Sequence, residues 1–131
     1  MKLLLDTHIW LWSLLDPDRL SARARSALAD PANTLALSPV SVWEALVLAE
    51  KGRVLLQPDP WSWIRTALTV RPVHEVPVTF EVAFGSRGIR LGYGDPADRF
   101  IAATARIHGL TLVTADASLL RCPDIGVIPG A

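Results

Sequence analysis

Cysteine is almost missing from this sequence. Cys122 is the only one in 131 residues, so no internal disulfide can form, and the chain suits a reducing compartment. Net charge is missing too, with 13 Lys and Arg against 13 Asp and Glu. That balance argues against strong non-specific nucleic-acid binding, which depends on many phosphate contacts. It leaves room for a nucleic-acid enzyme whose basic residues are clustered. There is no uninterrupted apolar run of the ~18 residues a membrane helix needs. The opening Met-Lys-Leu-Leu-Leu resembles the start of a signal peptide, but Asp6 and His8 break it too early. A cytoplasmic location is therefore expected. No internal repeat, low-complexity tract or linker divides the chain, which predicts one domain over residues 1–131. The three histidines, His8, His74 and His108, show no zinc-like spacing. The glycine-rich loop of Gly85, Gly88, Gly92 and Gly94 lacks Gly-Lys-Ser/Thr and does not follow a strand as a phosphate cradle must, so it reads as a flexible connector.

What the sequence does have is hydrophobic residues, half of the total, arranged as short apolar runs alternating with helical segments. Strands are expected at Lys2 to Leu5, Thr34 to Leu37, His74 to Val76 and Leu110 to Val113, with an edge strand at Val127 and Ile128. Helices are expected from Thr7 to Leu15, from a Ser21 cap to Ala29, from Pro39 to Lys51, from Trp61 to Thr69 and from Thr79 to Phe84. A further helix begins at an Asp95 cap with Pro96 at its first position and stops at Gly109, and one turn follows at Ala117 to Leu120. This alternation implies an α/β fold, a mostly parallel sheet with helices on both faces.

The acids then stand out by position. Asp6 and Asp116 each follow an apolar strand, and each could simply cap the next helix. Asp98 is the third residue of its helix, where a carboxylate suits the helix dipole. Glu44 is harder to explain structurally. Ser41-x-x-Glu44 matches a capping box, but Pro39 puts the cap at Ser38, so Glu44 falls in the second turn among Val40, Val47 and Leu48. An unpaired carboxylate on an apolar face costs several kcal/mol or takes up a proton. No Lys or Arg lies within a turn of it, which makes a metal ion a serious partner. In a parallel α/β sheet all four positions fall toward one edge, and oxygen-only ligands favour Mg²⁺ or Mn²⁺. His8 is near enough to Asp6 in sequence to be an outer-sphere partner.

Leu-Leu-Leu-Asp6-Thr7-His8, Ser41-Val-Trp-Glu44, Asp95-Pro-Ala-Asp98-Arg99-Phe-Ile-Ala-Ala-Thr-Ala and Thr114-Ala-Asp116, in this order and spacing, resemble the PIN-domain family. More narrowly they resemble the VapC-type toxins of bacterial toxin–antitoxin pairs, over essentially the whole chain. The resemblance implies a Mg²⁺- or Mn²⁺-dependent endoribonuclease with Asp6, Glu44, Asp98 and Asp116 as the catalytic metal site. It also implies a homodimer and a cognate antitoxin whose tail covers the acidic groove. In the implied chemistry, metal held by these acids acidifies a water that attacks the scissile phosphate of RNA. Asp6 and Asp98 are the strongest ligands, while Glu44 and Asp116 bind metal or orient water. Arg87, Arg90 and Arg99 could hold the RNA backbone, against a plainer reading as surface charges.

Five tryptophans, at 10, 12, 43, 61 and 63, are expected to lie mostly in the core. The helix from Pro39 to Ala49 is apolar on nearly every side, which suggests an interface. Two other readings are an α/β phosphohydrolase using an aspartyl nucleophile and a catalytically silent module that binds protein. The first is weakened because no second Asp stands two residues after Asp6. The second is weakened because all four acids are intact.

Overall fold

The computed structural model describes residues 1–92 and 95–131. Five strands form one sheet: β1 (Lys2–Leu5), β2 (Thr34–Leu37), β3 (His74–Glu75), β4 (Thr111–Thr114) and β5 (Val127–Pro129). Their order is β3-β2-β1-β4-β5, and every neighbouring pair is parallel. The helices are α1 (Thr7–Leu15), α2 (Ala22–Ala29), α3 (Pro39–Glu50), α4 (Pro60–Val70), α5 (Phe80–Ser86), α6 (Pro96–His108) and α7 (Ala117–Leu120), with a 3-10 turn over Pro17–Arg19.

The pleat of β1 explains the two-sided core. Leu3 and Leu5 point into a cluster with Ile9 of α1, Leu28 of α2, Ala45 of α3 and Ile64 of α4. Leu4 points the other way, toward Val82 of α5, Ile101 of α6 and Leu119 of α7. A strand buried on both faces reads as a continuous apolar run, which is why Leu-Leu-Leu precedes the first acid. Leu4 is fully enclosed, and its truncation to Ala would cost about 2–5 kcal/mol through the cavity left behind.

The helix starts follow their caps. Ser21, Ser38, Asp59, Thr79 and Asp95 each accept a backbone N–H in the following turn, and Pro39, Pro60 and Pro96 occupy first positions that need no donor. Gly52 and Gly109 end α3 and α6 in the left-handed conformation, at φ 70° and 64°.

One expectation is corrected. Gly85 belongs to α5, not to the loop after it. A Cβ there would stand 2.9 Å from Ile107 Cδ1, so glycine lets α5 lie close against α6. Gly94 of the same stretch lies outside the described residues. Three of the five tryptophans, Trp10, Trp12 and Trp63, lie in or pack against the core, as expected. Trp10 alone is fully buried, Trp12 and Trp63 are half-buried, and Trp43 and Trp61 are exposed.

Candidate active site

The strand order reverses at β1: β2 and β3 lie on one side of it, β4 and β5 on the other. Such a switch point opens a crevice at the carboxyl ends of the strands. Asp6 leaves the end of β1 and Asp116 follows β4, so the crevice has a carboxylate on each side.

Asp6 is nearly inaccessible, 8% exposed. Its backbone N–H donates to the Val113 carbonyl at 3.0 Å, which continues the β1–β4 ladder one residue further. One carboxylate oxygen caps α1 by accepting from Thr7 N at 2.9 Å, and the other accepts from Thr114 Oγ1 at 2.6 Å. Burial pushes its pKa up, the two hydrogen bonds and the His8 charge pull it down, and the charge of Asp116 pushes it up again.

Asp116 is exposed and caps α7 through Leu119 N at 3.0 Å. Its own N–H donates to Thr114 Oγ1 at 3.0 Å. Each cap uses one carboxylate oxygen of two, so capping by Asp6 and Asp116 does not exclude a role for them in the site.

Glu44 is half-buried on the second turn of α3, and Ser38 is the cap as its position required. Thr7 Oγ1 donates to Glu44 Oε1 and lies 2.9 Å from Ser41 Oγ. Burial raises the pKa of Glu44, the Thr7 hydrogen bond opposes this, and the charges of Asp6 and Asp95 add to the rise.

Asp98 is the most perturbed. Asp95 caps α6 through Ala97 N at 2.9 Å, which leaves Asp98 in the first turn facing the other acids. Its pKa is pushed up to about 7, first by burial and then by the charges of Asp6, Asp116, Asp95 and Glu44. Among the described residues it has no cationic partner and no side-chain hydrogen bond. Like charges gathered without compensation disfavour their own ionisation. This is the signature of a functional centre more than of a structural ion pair.

The donor set fits a hard divalent cation. No three His, Cys, Asp or Glu side chains among the described residues are arranged to hold a metal on protein atoms alone. Mg²⁺ is ordinarily held by one or two carboxylates with several waters retained, so a loose ring of acids around a crevice suits it better than a closed cage. Asp6 and Asp98 could supply such carboxylates, and each feels the charge of Asp116.

Thr7 and Thr114 carried no role in the sequence reading, yet their hydroxyls hold Glu44 and Asp6, and Ser41 in turn contacts Thr7. The signal was present in Asp6-Thr7 and Thr114-x-Asp116, but a threonine's role depends on which way it faces. The three arginines differ in what they already hold. Arg99 donates to the carbonyls of Ser86, Ile89 and Leu91 at 3.2, 2.9 and 3.3 Å, so it ties the segment after α5 to α6. Arg90 forms a two-pronged pair with Asp124 at 3.1 and 2.8 Å. Both are occupied within the fold. Arg87 is exposed and has no ion pair among the described residues.

The PIN-domain family model matches residues 3–124. The chain belongs to the PIN-domain family. Ribonuclease VapC22 of Mycobacterium tuberculosis (strain ATCC 25618 / H37Rv) is 38% identical over 117 residues, 88% of this chain and 88% of that protein. The fold is shared with VapBC2 from Rickettsia felis, solved bound to a DNA fragment from its promoter, at TM-score 0.75 and 21% identity over 98% of both chains. A toxin–antitoxin complex from Klebsiella pneumoniae superposes at TM-score 0.66, with 25% identity over 96% of this chain and 95% of that one.

Proposed function

We propose that this chain is a divalent-metal-dependent endoribonuclease, the toxin of a toxin–antitoxin pair, with Asp6, Glu44, Asp98 and Asp116 as its catalytic acids. The observation that carries the reading is Asp98, a half-buried carboxylate raised to about 7 by burial and by four surrounding carboxylates. The first turn of α6 suits a carboxylate, but the helix dipole gives no reason to crowd that carboxylate with four like charges. The relation to Ribonuclease VapC22 supplies the reaction class.

When bound, Mg²⁺ or Mn²⁺ would supply charge neutralisation at the scissile phosphate and acidify a water. The chain's own residues do the positioning. Thr114 and the α1 N-terminus hold Asp6 in one orientation, Thr7 holds Glu44, and the α7 cap holds Asp116. Arg87 is the one of the three sequence-nominated arginines still free, among the described residues, to meet the RNA backbone.

The solved toxin–antitoxin relatives support an antitoxin partner. A homodimer fits the two exposed tryptophans, Trp43 and Trp61, at 59% and 62% exposure. No helix among the described residues is long and apolar enough to cross a membrane, and the buried, unpaired Cys122 accords with a cytoplasmic location.

The test is cleavage of RNA by purified protein with Mg²⁺ or Mn²⁺, with EDTA, and by Asp98→Asn. Metal-dependent cutting by wild type alone is expected. Undiminished cutting in EDTA would remove the metal from the account. Light scattering should give a mass above the 14.3 kDa of one chain.

A further inference from the structure

A cavity of about 570 Å³ opens beside the acids, between α1, the 3-10 turn and the end of α3, within the roughly 300–1,000 Å³ of small-ligand sites. Asp6 and Asp116 stand at one end of it, and the rest of its wall carries His8, Trp12, Arg19 and Arg53. The guanidinium of Arg19 lies 4.2 Å from the centroid of the Trp12 ring, and the His8 ring stands 5.7 Å from it on a tilt. Three planar groups are thus stacked or leaning together on the wall of a cleft that leads to the catalytic acids.

Arg53 is placed by the way α3 ends. Gly52 turns left-handed, its N–H donates to Ala49 O at 3.1 Å, and Arg53 N donates to Leu48 O at 2.9 Å. This paired closure fixes where residue 53 leaves the helix. Arg53 is exposed and has no ion pair among the described residues. Asp16 is the other acid on this wall; the described salt bridges do not join it to Arg19 or Arg53.

Unpaired RNA bases stack on aromatic rings and on guanidinium planes, and their phosphates are met by Arg or Lys. We propose that this cavity is a subsite for one unpaired nucleotide of the RNA next to the scissile bond. Its base lies against the Arg19–Trp12–His8 stack, and its phosphate is met by Arg53. The assignment rests on the ribonuclease reading above and deepens it by giving the base and the phosphate of one nucleotide their own side chains. A duplex, with its bases stacked inward, cannot use the platform.

The test measures binding of a labelled single-stranded RNA by fluorescence anisotropy in EDTA, where the metal-dependent cutting does not proceed, across a salt series. The same strand annealed to its complement serves as the duplex arm. Arg53→Gln is expected to weaken single-strand binding about tenfold and to lower the slope of log Kd against log salt by about 0.7. Trp12→Leu is expected to weaken it about tenfold, with Trp12→Phe recovering most of the loss. Wild type should bind the single strand more tightly than the duplex. Where Trp12→Leu does not fold, Arg53→Gln decides alone, since that side chain is exposed. Unchanged affinity and salt slope in Arg53→Gln would overturn the subsite, as would equal binding of duplex and single strand. If wild type cuts RNA and the variants bind as it does, the subsite alone falls. If wild type binds through Arg53 and Trp12 but cuts nothing with metal, the nuclease reading falls and the binding site stands.

Discussion

Asp124 and Asp98 are both carboxylates with restricted access to water, and the protein treats them in opposite ways. The Asp124 side chain is 3% exposed and is met by Arg90 at 2.8 Å and Arg106 at 3.8 Å, with the Arg90 backbone N–H adding a third contact at 2.7 Å. Asp98 has none of these among the described residues; its surroundings are four more carboxylates. Where a buried acid serves the fold, this chain supplies cations for it. Where no cation is supplied, the acid takes up a proton more readily or needs a cation from outside, and that unmet charge is what points to the proposed site.

The largest expected effect separates these two acids directly. Asp98→Asn should lower RNA cleavage by about two to three orders of magnitude, the scale on which removing one preorganised electrostatic group acts. Asp124→Asn should leave cleavage close to wild type while lowering the melting temperature, because it strips partners from two arginines. The reverse pattern would break the comparison.

Arg99 is the next largest. It sits beside Asp98 in sequence, yet it serves the fold as Arg90 does. Arg99→Ala should destabilise the protein by about 1–3 kcal/mol, because the carbonyls of Ser86, Ile89 and Leu91 lose a charged donor. Denaturant unfolding would measure it, and a neutral result would mean that water replaces the guanidinium without loss.

A smaller effect follows from the pKa of Asp98. The unfolded chain holds this group near 3.8 and the folded chain near 7, so between these values the native state binds the extra proton. Stability without metal should therefore decrease as pH rises from about 4 through about 7, and level off above. Asp6 and Glu44, also raised, act with the same sign. Asp98 is half-exposed, so screening reduces the amplitude. Asp98→Asn should flatten this slope in a melting series run in EDTA.

The smallest effect is that of a cap. Asp95→Ala should cost about 1 kcal/mol whether metal is present or not, because it removes the acceptor for Ala97 N. A loss that appears only with metal present would move Asp95 from the helix cap into the metal site.

The contrast also explains what could be read in advance. Strand ends, caps and stops are local, so Asp6 after Leu5, Asp116 after Thr114, the Ser38–Pro39 start and the Gly109 stop were all legible from neighbouring residues. The parallel sheet followed from alternation, and with it the gathering of the four acids. Side-chain direction across the sheet was not legible. Whether Arg99 reaches solvent or turns back onto three carbonyls depends on where residues 86–91 lie. Whether Trp43 and Trp61 are core depends on how α3 and α4 pack. Gly85 looked like a loop residue because its reason is the proximity of Ile107, more than twenty positions away in sequence. The hydroxyls of Thr7 and Thr114 gave only a weak signal, since threonine beside an acid is common.

The central claim is that these acids repel one another until a cation arrives. Thermal melting of wild type and Asp98→Asn, each in EDTA and each with Mg²⁺ or Mn²⁺, tests it most directly. Wild type should gain stability from metal through binding to the folded state. Asp98→Asn should melt at the same temperature as wild type or higher in EDTA, and should lose most of the gain from metal. If Asp98→Asn melts below wild type in EDTA and still gains fully from metal, Asp98 is a helix-dipole residue and the site is elsewhere.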